Sequence, residues 1–203
     1  MRIFYLILAL FVISPSYADT EVIAVGQPAS VGAPTYTCVG WPSSGCVPTG
    51  TPATESASTL DRTYTRGWTA TEGGTAISIN AYVTAWNPLA GYIRLYKQAG
   101  GTGDWVLVGQ ATVTSSITED TWNKITLSAF GAQSLTFASG DVLYFGIAWD
   151  EEGATASALG RNEAAGSLFS VTTPVDASEP DPITTWTETT TRDVALVFEY
   201  DPA

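Results

Sequence analysis

The chain has 203 residues, 20 acidic against 8 basic, a formal net charge of −12 and no histidine. The charge balance argues against a nucleic-acid partner, because phosphate binding needs clustered Lys and Arg. The missing imidazole excludes Ser-His-Asp and Cys-His catalysis and removes the usual zinc and copper ligands.

Residues 1–18 read as a signal peptide. Arg2 is a minimal positive start, Ile3 to Ile13 is an apolar run, Ser14-Pro15 breaks it, and Ser16-Tyr17-Ala18 is a small-x-small cleavage site before Asp19. The run is too short to span a bilayer; the competing reading is an uncleaved N-terminal anchor. The expected location is therefore secreted, extracellular or on the cell surface. Cleavage leaves 185 residues, enough for one domain with a sizeable core, carrying seven basic and 20 acidic residues.

Residues 19–59 form an N-terminal extension rich in Pro, Gly, Ser and Thr, with short strands expected near Glu21 to Val25 and Thr35 to Val39. It contains CVGWPSSGC, and in an exported chain Cys38 and Cys46 should pair. Closing so short a loop stabilises by roughly 2.5 kcal/mol on the chain-entropy model. Trp41, inside that loop, is either a plug against the domain or an exposed contact.

Residues 60–203 are a series of short β runs separated by Gly and Pro breakers. The strands expected are Leu60 to Trp68, Thr75 to Trp86, Tyr92 to Gln98, Trp105 to Val113, Thr121 to Leu127, Gln133 to Phe137, Val142 to Trp149 and Asp193 to Tyr200. Weaker candidates are Ser167 to Val171 and Ile183 to Thr187, and the stretches Glu151 to Gly166 and Val175 to Pro182 read as loops. No window after the signal segment has helical periodicity, so the pattern means an all-β sandwich or barrel. VLYFGIAW, apolar on both faces, belongs at its centre, and Val194, Leu196, Phe198 and Tyr200 of the last strand should point inward. Trp68, Trp105, Trp122 and Trp149 sit in or beside strands and read as core or edge packing.

The stretch SINAYVTAWNPLAGYIRLYKQ raises the functional question. Alternation puts Ile77, Ile79, Ala81, Val83, Ala85, Ile93 and Leu95 on one face and Tyr82, Trp86, Tyr92, Arg94 and Tyr96 on the other. If NPLAG closes a hairpin, Trp86 faces Tyr92, Thr84 faces Arg94 and Tyr82 faces Tyr96, each aromatic pair adding roughly 0.2–1 kcal/mol. Arg94 can lie over a neighbouring ring as a cation–π partner. The rings are then either a platform for the apolar face of a sugar, with Asn80, Thr84, Arg94 and Gln98 taking hydroxyls, or a second small core covered by a loop or the N-terminal chain. Trp186 is a further candidate at the rim.

The carboxylates carry weaker signals. Asp150, Glu151 and Glu152 follow the central strand, and Asp176, Glu179 and Asp181 share one loop. Either group offers oxygens for calcium, though no D-x-D-x-D-G spacing occurs, and a solvated acidic loop is the simpler reading. No other cofactor is expected. Glycoside hydrolysis needs two carboxylates about 5–10 Å apart, and Glu199, on the outer face of the last strand, is the first strand-borne Glu to inspect.

ISINAYVTAW, GYIRLYKQ, WVLVGQATV, TWNKITL, LTFASGDVLYFGIAW and ALVFEY follow one another from about Thr75 to Tyr200. In that order they resemble secreted bacterial and phage jelly-roll modules similar to carbohydrate-binding modules. The resemblance implies glycan binding or adhesion without catalysis, and with it the fold class expected is all-β, a two-sheet antiparallel jelly-roll sandwich; the extension with its Cys pair departs from it. The expected partner is a glycan or cell-surface polysaccharide. Two further readings stand beside this: a structural subunit of an extracellular or virion-like assembly, with the aromatic face against another copy or chain, and a small glycan-cleaving enzyme.

Overall fold

The structure, a computed structural model, describes residues 36–40, 46, 48, 50–52, 54–58, 62–86, 90–113, 117–150, 157–162, 168–171, 183, 186–189 and 193–203. Contacts divide the chain into Met1–Ala33 and Pro34–Ala203, and every described residue belongs to the second unit. The expected signal segment, the strand at Glu21 to Val25 and Trp41 lie outside the described residues.

The strands are β1 (Thr37–Gly40), β2 (Thr54–Ser58), β3 (Arg62–Thr69), β4 (Gly74–Ala85), β5 (Ala90–Gln98), β6 (Val106–Thr112), β7 (Thr121–Thr126), β8 (Ser128–Ala129), β9 (Thr136–Phe137), β10 (Val142–Asp150), β11 (Ser157–Asn162), β12 (Leu168–Val171), β13 (Thr187–Thr189), β14 (Asp193–Val194) and β15 (Leu196–Pro202). They form two antiparallel sheets. Sheet A runs β1-β15-β4-β11-β14, with β7 and β9 also on β4 and β2 on β11; sheet B runs β13-β12-β3-β10-β5-β6-β8. The chain passes repeatedly from one sheet to the other, giving the expected all-β sandwich. β1 and β2, which precede residue 60, pair into sheet A with β15 and β11. Ser157–Asn162, expected as loop, is a strand between β2 and the end of β4.

The core lies where the inward faces meet. Ile79, Ala81 and Val83 of β4 and Leu196, Phe198 and Tyr200 of β15 come from sheet A; Ile93 and Leu95 of β5 and Leu143, Phe145, Ile147 and Trp149 of β10 come from sheet B. Each buried Val, Leu, Ile and Phe among them stabilises by roughly 1.5–3 kcal/mol through burial. Phe145 stacks on Phe198 across the sheets, centroids 5.3 Å apart, and Tyr64 stacks on Trp149 at 4.8 Å. A register shift between Glu199 and Tyr200 places Ala76 in the core instead of Ile77. β10 is central, as its two-sided apolarity demands, between β3 and β5. The ASGD turn before it contains Gly140 at φ 90, and the buried Asp141 carboxylate accepts from the backbone N–H groups of Ala138 (2.9 Å) and Gly100 (2.8 Å).

The NPLAG connection is corrected by the sheet order. β4 pairs with β15, β7, β9 and β11, whereas β5 pairs with β10 and β6, so the two strands are not a hairpin and Tyr82 does not face Tyr96. The segment carries the chain between sheets. The physical reason is that alternation constrains which face a side chain takes, and it is silent on which strand lies alongside.

Candidate functional site

The face expected to bind divides between the two sheets. Tyr92, Arg94, Tyr96 and Gln98 point outward from sheet B, away from Ile93 and Leu95, and lie opposite Ala148, Gly146, Tyr144 and Val142 of β10. The direction is as alternation predicts, but the face is closed. Tyr96 and Arg94 are 0 % exposed and Tyr92 8 %. Trp186 sets its edge against Tyr96 (5.4 Å) and Tyr144 (5.1 Å), Trp105 stacks on Tyr144 (5.2 Å), and Ile183 exchanges two backbone hydrogen bonds with Trp105. Together with Leu107 these residues make a second, outer core. Arg94 lies over the Tyr92 ring at 4.9 Å and donates from Nε to Gln110 Oε1 at 2.9 Å. The covered arrangement, one of the two outcomes foreseen for these rings, is the one found.

Trp86 departs from the expected face. Its ring packs on the main core and lies over Gly91, where a Cβ would overlap the indole. Its backbone N–H donates to Glu119 Oε1 at 2.8 Å. Tyr82 alone of the predicted group points outward from sheet A. It meets the edge of Trp122 at 5.6 Å and donates to the Asp120 carbonyl at 2.8 Å. Pro52 and Gly160 close over it; an added Cβ on Gly160 would press on both rings.

Around Tyr82 the outer face of sheet A carries a different constellation, read off the ladder row by row. Cys38, Glu199, Ser78 and Thr126 are successive partners across β1, β15, β4 and β7; Gly40, Val197, Asn80 and Lys124 form the next row, and Tyr82 opposes Trp122 in the third. Glu199 is 1 % exposed, yet its Oε2 accepts from Ser78 Oγ and pairs with Lys124 Nζ, each at 2.5 Å. Burying a carboxylate is tolerable only with such partners. Asn80 is 4 % exposed, and its Nδ2 has no hydrogen-bond partner among the described residues. Above this polar floor stand rings. Tyr36, 38 % exposed, is the exposed large hydrophobic among the described residues, and its ring lies 5.9 Å from Lys124 Nζ. Half-buried Trp122 flanks Lys124 on β7 and donates from Nε1 to the Gly50 carbonyl at 3.0 Å.

The Cys38–Cys46 disulfide is formed, with S–S 2.04 Å, and Cys38 itself lies in β1 opposite Glu199 of β15. Asp150 ends β10; its side chain and Glu151, Glu152, Asp176, Glu179 and Asp181 lie outside the described residues. Among the described residues no cluster of three His, Cys, Asp or Glu could hold a metal ion. Sequence reasoning singled out Glu199 and Asn80 but not Tyr36, Ser78, Trp122 or Lys124. The readable signal for Trp122 and Lys124 was the alternation of TWNKIT, which puts both on one face. Comparison with protein-family models, curated proteins and solved structures returns no match for this chain.

Proposed function

We propose that the chain is an exported, non-catalytic carbohydrate-binding or adhesion module whose contact surface is the outer face of sheet A. The observation that carries the reading is a pair of rings near Lys124, exposed Tyr36 within 5.9 Å of its amine and half-buried Trp122 two residues away on β7, on a face that also holds buried Asn80 and Glu199. A sugar's C–H face packs on such rings, and strand-borne aromatics lose little conformational freedom on binding. The signal-like N-terminus and the disulfide support export. The likeness to secreted jelly-roll modules read from the sequence fits this surface, although the rings differ from those the alternation first picked out. A glycan-cleaving reading draws less support: the acid side chain on this face, Glu199, directs its contacts to Ser78 and Lys124.

The test is retention on a panel of insoluble polysaccharides. Tyr36→Ala and Trp122→Ala should abolish retention, whereas Tyr92→Phe and Tyr96→Phe, on the closed face of sheet B, should leave it intact. Equal retention by all four variants would overturn the proposed surface.

A further inference from the structure

Three functional groups meet on the outer face of sheet A in an arrangement that sugar contact does not require. Lys124 of β7 and Asn80 of β4 are direct cross-strand partners, so their side chains leave the same face side by side. Glu199 lies on β15, the strand on the opposite side of β4. For Lys124 Nζ to touch Glu199 Oε2 at 2.5 Å, the lysine must therefore stretch across β4, between Ser78 and Asn80. The lysine thus starts beside Asn80, its cross-strand partner, and ends at Glu199, one row further on across β4. The Asn80 carboxamide is buried and its Nδ2 makes no hydrogen bond among the described residues, an arrangement that costs free energy and that losing the nitrogen would relieve.

We propose that Lys124 and Asn80 become joined by an intramolecular isopeptide bond, with Glu199 as the catalytic proton carrier. Glu199 takes one proton from the Lys124 ammonium. The free amine attacks Asn80 Cγ, whose carbonyl electron pair moves to Oδ1. Collapse of this adduct breaks the Cγ–Nδ2 bond, and the extra proton on the attacking nitrogen passes to Nδ2, which leaves as ammonia. Glu199 returns its own proton to the ammonia, which departs as ammonium. No oxidant or reductant enters; the chain loses the mass of one ammonia and one positive charge. Fixed positions supply what free lysine and asparagine lack, because proximity turns a sluggish encounter into an intramolecular step. Lys124, 51 % exposed at its side chain, is the solvent-accessible partner; Asn80 and Glu199 are the buried ones. The product staples β7 to β4, adding a covalent link to the ladder and the Tyr82–Trp122 contact that already join them. Such a staple suits a surface module exposed to pulling or proteolysis, but the proposal does not depend on any ligand.

The test is a tryptic map of the purified, reduced full chain by mass spectrometry, after incubation at neutral pH. The expected result is no cleavage after Lys124, with peptide 98–161 covalently joined to peptide 67–94 and the pair lighter by one ammonia. Lys124→Arg and Asn80→Ala should yield separate peptides. Glu199→Gln should do so too, while its circular dichroism spectrum stays that of the parent. Should Glu199→Gln fail to fold, Glu199→Asp, which shortens the reach to Lys124, should lower the linked fraction at least tenfold. Separate peptides from the parent chain would overturn the proposal. So would an ammonia loss confined to peptide 67–94, which marks a cyclic imide, or an undiminished link in the folded Glu199 variants.

Discussion

Replacing Phe198 by alanine probes the seam between the sheets. The ring is 0 % exposed and touches rings from both layers: Phe145 stacked at 5.3 Å, Tyr200 at 5.7 Å, Phe137 at 6.1 Å and Trp68 at 6.2 Å. Truncating a buried Phe costs about 3–5 kcal/mol, through lost transfer energy and the cavity left behind. Specific ring pairing adds about 0.5–1.5 kcal/mol per pair, not fully additive, so a loss of about 4–5 kcal/mol is expected. At about 2–4 °C per kcal/mol for a chain of this size, Tm should fall by about 8–20 °C in a thermal melt followed by circular dichroism. Because whole-domain stability is only about 5–15 kcal/mol, Phe198→Leu is measured alongside and should lose about 1–1.5 kcal/mol. A double-mutant cycle with Phe145→Leu should give a coupling near 1 kcal/mol. A Phe198→Ala melt within about 4 °C of the parent, or zero coupling to Phe145, would refute the claim that the two sheets meet at this ring.

Reducing Cys38–Cys46 releases a loop closed over a sequence separation of 8 and should lower stability by about 2.5 kcal/mol, seen as a Tm about 5–10 °C lower in dithiothreitol; an unchanged melt would count against stabilisation by the closed loop. Tyr200 has its phenol pushed up from 10.0 to about 12, first by burial and then by the Glu72 carboxylate that accepts its hydrogen bond at 2.9 Å, with Thr37 opposing. An acid held protonated in the folded state releases its proton more readily on unfolding. Its contribution is therefore complete below pH 10 and is lost as pH rises towards about 12. Alkaline melts should show this decline, and Tyr200→Phe should flatten it; a decline of equal size in that variant would exclude Tyr200 as its source. Gly146→Ala places a Cβ against the Tyr64 carbonyl of β3, where backbone cannot yield. It should cost about 3 kcal/mol, the upper end for overpacking; an unmoved urea midpoint would contradict the β3–β10 packing.

How much was legible beforehand depends on the range of the interaction involved. Alternation is written residue by residue, so the sequence by itself determined that Ile93 and Leu95 point into the core while Tyr92, Arg94 and Tyr96 point away. It likewise determined the central place of VLYFGIAW, the inward set Leu196, Phe198 and Tyr200, the paired cysteines and the all-β class. The tertiary structure decided which strands lie side by side, because a ladder's free energy is summed over residues far apart in the chain and any amphipathic strand offers the same pattern to several neighbours. That choice separated β4 from β5, sent Tyr82 to one outer face and Tyr96 to the other, and turned Ser157–Asn162 from loop into strand. It also decided that Ile183 and Trp186 close over the sheet B rings. The meeting of Lys124, Asn80 and Glu199 has the same origin: three residues spread over 119 positions become neighbours only because β7 and β15 both pair with β4.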